Sequence, residues 1–386
     1  MARSSIDRRD NGRYRARYFA PDRRWKSKTF DRRVDAERWL RSQLSSIDRG
    51  EWIDPILRRT RFEELADKWL STIAGLRPKT QAGYESLLRC HVLPEFGEKE
   101  LAQIDRVLVR EWLAGLQRLG LSTSRRRQAR QVVSSILGLA VEGGYISTNP
   151  ARGLKVMGGT QREMLHLSAS QVQGLAEAAE SLRPGSGVLV RLLAYGGVRW
   201  GEAVAIRRGR CDLVRSRLFV RESLSEVRGH LYFGPTKTHQ ERVIILPPFL
   251  RDALAIHLAE HVASDDDALI FTSPKSEPLR ASNWRRRVWY PACEASGMPD
   301  GLRIHDLRHT AASLLVSAGA HVKAIQRHLG HSTASQTLDR YAHLFTHDLE
   351  AVADRLEDVW AAGNASYPRP EGYPTDDELG QNSAEH

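Results

Sequence analysis

HDLRHTAASLL at residues 305–315 and LGHSTASQTLDRYAHLF at residues 329–345 put His305, Arg308, His331 and Tyr341 into one short region. On a helix starting near His305, residues 305 and 308 share a face, and Leu307, Ala311, Leu314 and Leu315 form the apolar face beside it. That apolar face predicts a docked helix that holds His305 and Arg308 at the edge of a core rather than inside it. Two more cations belong with them: Arg199 in GVRWGE, and Lys237 at the tip of a hairpin in GPTKTHQER. Two arginines, a lysine, two histidines and a tyrosine make a poor carboxylate site and a good phosphate site. Guanidinium forks match non-bridging phosphate oxygens in pairs, histidine and lysine move protons, and tyrosine can attack.

At 386 residues the chain is too long for one ordinary core, so two or three domains are expected. Its 41% hydrophobic and 27% charged residues are ordinary for a soluble globular protein. No apolar run approaches the roughly 18 residues of a membrane span. The N-terminus is charged and has no hydrophobic signal segment, which points to the cytoplasm. Cys90, Cys211 and Cys293 lie far apart in no metal-like spacing, as suits a reducing compartment. His305, His309, His328, His331, His343 and His347 crowd one region, yet nothing like H-E-x-x-H accompanies them, so no metal is expected.

The net charge of +11 is unevenly spread. From Thr346 onward two arginines face ten acidic residues, a net of −8, which leaves about +19 on residues 1–345. Such an excess suits a polyanionic partner, whose condensed counterions lysine and arginine displace.

The chain divides at its punctuation. Residues 1–59 open with GRYRARYFAPDRRWKSKTF, where aromatic and basic residues alternate on either side of a turn, the pattern of a short β-hairpin. One face carries Tyr14, Tyr18 and either Trp25 or Phe30; the other carries Arg13, Arg15 and Arg17. A helix ending at Gly50 follows. A small sheet presenting arginines fits a DNA groove. Residues 61–155 read as wholly helical, with Pro78 in a first turn, Asp105 as a cap and Gly120 as a stop. Their last helix has an apolar stripe of Val132, Val133, Ile136, Leu137 and Val141. Its start carries Arg125, Arg126, Arg127 and Arg130, where cations oppose the helix dipole, a cost that points to phosphate contacts, with a solvated charge run as the other reading. Residues 165–345 are mixed: a capping box at Ser168 and Gln171, a helix through GVLVRLLAYGG, then three strands, SRLFVRESL, HLYFGPTKT and ERVIILP, joined by tight turns. Residues 346–386 comprise an acidic amphipathic stretch, HDLEAVADRLEDVW, and a polar tail expected to be disordered beyond about Gly363.

The ordered set, arginine in GVRWGE, hairpin lysine, H-x-x-R, LGH and a tyrosine ten residues on, resembles the tyrosine recombinase family, specifically phage-type integrases. The resemblance covers nearly the whole chain. It implies a multidomain, mainly α fold with small β-sheets: an N-terminal three-stranded arm-binding-like domain, an all-α SAM-like core-binding domain and an α+β catalytic domain. One departure is IRRGRCDLV, where the family more often has an aromatic residue and an acidic stretch, which leaves the start of the first catalytic strand open.

The resemblance also assigns roles. Tyr341 attacks the scissile phosphate and forms a 3′-phosphotyrosyl link; Arg199 and Arg308 hold the non-bridging oxygens. Lys237 protonates the leaving 5′-oxygen, His305 assists the tyrosine's proton transfer, His331 hydrogen-bonds the phosphate, and Glu202 has a mainly structural role, orienting the region around Arg199. Because the covalent link conserves the phosphodiester's energy, neither ATP nor any other cofactor is implied. The implied partners are double-stranded DNA at core and arm attachment sites, three further copies in a homotetramer, an excisionase and a host DNA-bending protein, in the nucleoid of a bacterial cytoplasm. A type IB topoisomerase, a chromosome-dimer recombinase and a non-catalytic DNA-binding regulator are the other readings. The arm-like N-terminus speaks against the first two, and the reactive set against the third.

Overall fold

A computed structural model describes residues 3–50, 52–158, 164–236 and 241–331, together with 333, 335, 338, 356–358 and 360–362. The chain forms two compact units, Met1–Arg162 with Val227–His230, and Glu163–Glu226 with Leu231–His386.

The first unit begins with an antiparallel sheet, β1 (Ser4–Arg8), β2 (Tyr14–Phe19) and β3 (Trp25–Phe30) in that order, followed by helix α1 (Arg33–Asp48). Period-two alternation sends Tyr14, Ala16 and Tyr18 to one face, where they pack with Ala36, Trp39 and Leu40 of α1. Register decides between the two aromatic candidates. Tyr14 pairs with Phe30, which joins this core, whereas Phe19 pairs with Trp25 on the opposite face. Trp25 is 50% exposed, with the Arg17 guanidinium 5.3 Å above its ring. Strand β1 joins the hairpin to give the three strands that the resemblance implied, and its Asp7 and Ser5 accept hydrogen bonds from Arg15 and Arg17.

Helices α2 (Phe62–Thr72), α3 (Pro78–Leu87), α4 (Leu93–Phe96), α5 (Arg106–Arg118) and α6 (Thr123–Glu142) complete this unit. Pro78 occupies the first turn of α3, and Asp105 caps α5 by accepting the Leu108 N–H at 2.8 Å. The stripe of α6 is buried through Val132, Val133, Ile136 and Leu137 against Phe62, Leu65 and Trp112, with Val141 packed at its margin.

The second unit runs α7 (Ala169–Leu182), α8 (Ser186–Tyr195), α9 (Trp200–Ala203), β4 (Cys211–Asp212), β5 (Arg217–Val220), β6 (Glu222–Val227), β7 (His230–Pro235), β8 (Arg242–Ile245), α10 (Pro248–His261), α11 (Ala281–Trp284), α12 (Tyr290–Ala295), α13 (Asp306–Ser317) and α14 (Val322–Leu329). Ser168 and Gln171 form the capping box of α7. Helix α8 is apolar almost all round and forms the central post of the core, with Leu189, Val190, Leu192 and Leu193 buried among Leu175 of α7, Leu254 of α10 and Leu307 of α13. The chain enters this unit pinned to a late helix: the Leu167 N–H donates to Thr310 Oγ1 at 3.1 Å.

The three expected strands are five. The expected strand at residues 216–224 divides at Arg221, because β5 pairs with β8 in the sheet β4-β5-β8 while β6 turns away to pair with β7. The chain thereby satisfies two sets of backbone partners from one apparent strand. The tight turn at Arg228-Gly229 is present, both residues having positive φ (51° and 81°). The turn expected at residues 238–240 lies outside the described residues. Among the described residues no helix is long and apolar enough to cross a membrane.

Candidate active site

The site is assembled from three places in the second unit. The first is the turn after α8. Gly197 has φ +60°, and a Cβ there would come within 2.6 Å of Leu329 Cδ2, so only glycine permits this close approach. Two residues later Arg199 stands at the N-terminus of α9, a poor place for a cation. Glu202 resolves the conflict: one carboxylate oxygen accepts the Arg199 backbone N–H at 2.8 Å, the other the Arg199 Nη1 at 2.7 Å. Glu202 is only 1% exposed. Burial would raise its carboxyl, but the hydrogen bond from Arg242 and the charges of Arg242 and Arg199 outweigh burial and hold it at about 2. It is therefore an ionised orienting group rather than a proton donor.

Helix α13 supplies the second part. His305 stands at its N-terminus, and the adjacent Asp306 is buried and pinned by Arg303 at 2.6 Å. Arg308 is not at the edge of the core, as the apolar periodicity suggests, but 3% exposed. Its Nη1 donates to the Gly197 carbonyl and its Nη2 to the Leu329 carbonyl, each at 2.5 Å. A buried guanidinium is tolerated because backbone carbonyls replace water around it. Desolvation, then the Arg308 charge, pushes the His305 imidazole below its usual range, which keeps it neutral and able to accept a proton at neutral pH.

The third part is the end of α14. Gly330 adopts the left-handed conformation (φ +66°) that closes the helix. The chain then turns back, with the His331 N–H on the Gln326 carbonyl at 3.1 Å and the Gln326 amide on the His331 carbonyl at 3.2 Å. His331 is buried. Arg308 thus ties the strand-like approach to Arg199 to the approach to His331. The charges of Arg308 and Arg199 both act on His305, and Glu202 is the carboxylate that binds Arg199 directly.

Sequence reasoning overlooked Arg242. It opens β8, and its Nη2 donates to Glu202 Oε2 at 2.6 Å while its Nε reaches the His328 carbonyl at 3.3 Å. A signal was present: Arg242 has the parity of the buried Ile244 and Leu246, so an arginine points inward. Lys237 and Tyr341 lie outside the described residues.

The basic residues proposed for DNA fall into two groups. Arg15 and Arg17 share the outer face of the N-terminal sheet, whereas Arg13 precedes β2 and pairs with Asp31 at 2.8 Å. On α6, Arg127 is exposed and Arg125 and Arg130 are half-buried. Arg126 instead turns inward, 5% exposed, and donates to Gln117 at 2.8 Å and to Thr123 at 3.2 Å. Residue 126 sits one position off the exposed face of the helix, next to buried Ala129, so its charge serves the fold.

Comparison with known proteins settles the family. Residues 166–347 match the Phage integrase family, residues 4–49 the phage integrase N-terminal domain, and residues 61–117 the phage integrase N-terminal SAM-like domain. An integrase of prophage phiRv2 from Mycobacterium tuberculosis strain H37Rv is 32% identical over 344 residues, covering 86% of this chain and 89% of the relative. The chain belongs to the phage integrase family. It is a tyrosine-type site-specific recombinase with the three-domain layout of that family: small sheet, SAM-like helices, catalytic domain. Its fold is similar to that of the Tn1549 transposon integrase solved with a circular intermediate DNA, with TM-score 0.68 at 18% identity, over 76% of this chain and 99% of that one. It is also similar to lambda integrase solved as a tetramer on a Holliday junction, with TM-score 0.57 at 19% identity, over 86% and 96% of the two chains.

Proposed function

We propose that this recombinase breaks and rejoins DNA through a 3′-phosphotyrosyl intermediate, integrating and excising a mobile element such as a prophage, with Tyr341 as the nucleophile. The observation that carries the reading is the Arg308 fork, which joins the Gly197 and Leu329 carbonyls and so draws Arg199 and His331 toward one point. In this reading Tyr341 Oη attacks phosphorus, the bond from phosphorus to the 5′-oxygen breaks, and Lys237 gives that oxygen a proton. His305, kept neutral, takes the tyrosine's proton. Arg199 and Arg308 stabilise the charge of the pentacoordinate state, and His331 donates to the phosphate. A 5′-hydroxyl from another strand reverses the step and completes exchange.

Residues 1–59 then act as the arm-type DNA-binding domain, 61–155 as the core-binding domain and 165–345 as the catalytic domain. Arg15, Arg17 and Trp25 on one sheet face suit a DNA groove, and the solved DNA complexes of the Tn1549 and lambda integrases support double-stranded DNA as the partner. The lambda tetramer on a Holliday junction supports a homotetramer here. An excisionase and a host DNA-bending protein would set direction, and the acidic 346–386 segment would dock in trans or cap its own subunit. Of the apolar positions Leu349, Val352, Leu356 and Val359 that would dock, only Leu356 is among the described residues, 63% exposed on a helical turn.

A nicked suicide substrate tests the central claim. Cleavage should trap a protein–DNA species stable to boiling detergent, and Tyr341→Phe should abolish it while DNA binding persists. An adduct that survives in the variant moves the nucleophile elsewhere, with Tyr290, exposed on α12, the first alternative.

A further inference from the structure

We infer that Arg242 is a positioning residue for strand cleavage, acting through Glu202 to hold the Arg199 guanidinium in its working orientation. The inference rests on the reading of Arg199 as a phosphate clamp.

Arg242 links three parts of the site. Its Nη2 holds one oxygen of Glu202 at 2.6 Å, and the other oxygen holds Arg199 Nη1 at 2.7 Å. Its Nε reaches the His328 carbonyl, at the end of the helix that leads to His331. Its side chain also fills the space over Gly330, where an added Cβ would stand 2.9 Å from Arg242 Cδ. It begins the strand that follows the segment containing Lys237. One side chain thus touches the support of Arg199, the turn before His331 and the strand after the proposed acid.

Stability alone does not explain this arrangement. Arg242 Nη1 is buried with no hydrogen-bond partner, which destabilises the fold. A buried ion pair is commonly no better for stability than apolar residues of similar volume. What the pair does supply is a carboxylate that stays ionised although it is buried, and a carboxylate fixed from behind can hold Arg199 in front.

The test uses the full-length protein with four variants: Arg242→Met, Arg242→Lys, Glu202→Gln, and Arg242→Met combined with Glu202→Gln. Single-turnover cleavage of the nicked substrate, core-site affinity and thermal melting are measured on each. Arg242→Met should cleave roughly 10²-fold more slowly with unchanged core-site affinity, since small misplacements at a reacting centre carry costs of that order. Arg242→Lys, which keeps a cation beside Glu202, should recover most of the rate. The double variant should be no slower than Arg242→Met, because both changes interrupt one chain of contacts. Wild-type cleavage by Arg242→Met, or rate losses that multiply in the double variant, would overturn the inference. Should Arg242→Met fail to fold, Arg242→Lys decides: a folded protein with near wild-type cleavage supports the role, and a folded but equally crippled one refutes it. If wild type itself forms no covalent adduct, the proposed function falls instead, so the two failures are distinguishable.

Discussion

The Arg308 guanidinium donates to the Leu329 carbonyl at 2.5 Å, so the end of α14 is held by the arginine that is also proposed to grip the phosphate. A side chain with both duties cannot be altered for one without the other. Arg308→Ala should lower cleavage by about 10²–10³-fold, the cost of losing one donor to a developing oxyanion. It should also destabilise the catalytic unit by about 1–3 kcal/mol through unsatisfied carbonyls. Cleavage kinetics and urea melts on the same preparation check both; a variant that loses activity with an unchanged midpoint would deny Arg308 its structural duty.

Lys237 can be tested by leaving-group chemistry. Protonating a 5′-alkoxide is worth roughly 10²–10⁴-fold, whereas a thiolate leaves without a proton. Lys237→Ala should therefore be slow on ordinary DNA and nearly restored on DNA with a 5′-bridging sulfur, while Arg308→Ala stays slow on both. Equal defects of Lys237→Ala on the two substrates would make it a binding residue only.

Arg126 and Arg127 are neighbours in sequence with opposite predicted behaviour. Arg127→Ala should weaken DNA binding and reduce the salt dependence by about one counterion without moving the melting temperature. Arg126→Ala removes donors to Gln117 and Thr123 and should lower the melting temperature of the isolated protein. Binding titrations at two or more salt concentrations, paired with thermal melts, separate them.

Acid should loosen the catalytic unit through its buried histidines. His257 holds the Ile270 carbonyl at 2.6 Å and stacks on Phe271, and burial pushes its pKa down. With the folded pKa below the unfolded one, the unfolded chain takes up the proton first. The stabilisation is full above the unfolded value, near 6.5, and is lost as pH falls through the folded value. The melting temperature should begin to drop as the pH falls below about 6.5, and the drop should be shallower in His257→Gln. An identical slope in that variant would assign the effect to other groups.

Local chemistry was readable along the chain, and distant partnership was not. Ser168, Asp105 and Pro78 announce their helices because capping and first-turn geometry involve only a few neighbouring residues. The inner face of β2 was readable from alternation, but the choice between Trp25 and Phe30 depended on register across a turn. The burial of Arg308 was hidden because periodicity counts apolar side chains, whereas what admits this arginine is a pair of backbone carbonyls, Gly197 and Leu329, at the ends of two other helices. Arg242 was passed over for the same reason: the carboxylate that justifies an inward charge lies 40 positions earlier.

The bond from Leu167 to Thr310 spans 143 positions, and the Arg308 fork reaches from Gly197 to Leu329. During synthesis, the amino-terminal sheet and the SAM-like helices emerge from the ribosome well before either clasp has its second half. With residues 1–155 in the DNA-contacting roles proposed above, a nascent chain would touch DNA long before it could cut it. Premature termination anywhere ahead of Leu329 removes one partner of the Arg308 fork, so under the proposed roles a truncated chain would lack the assembled phosphate grip.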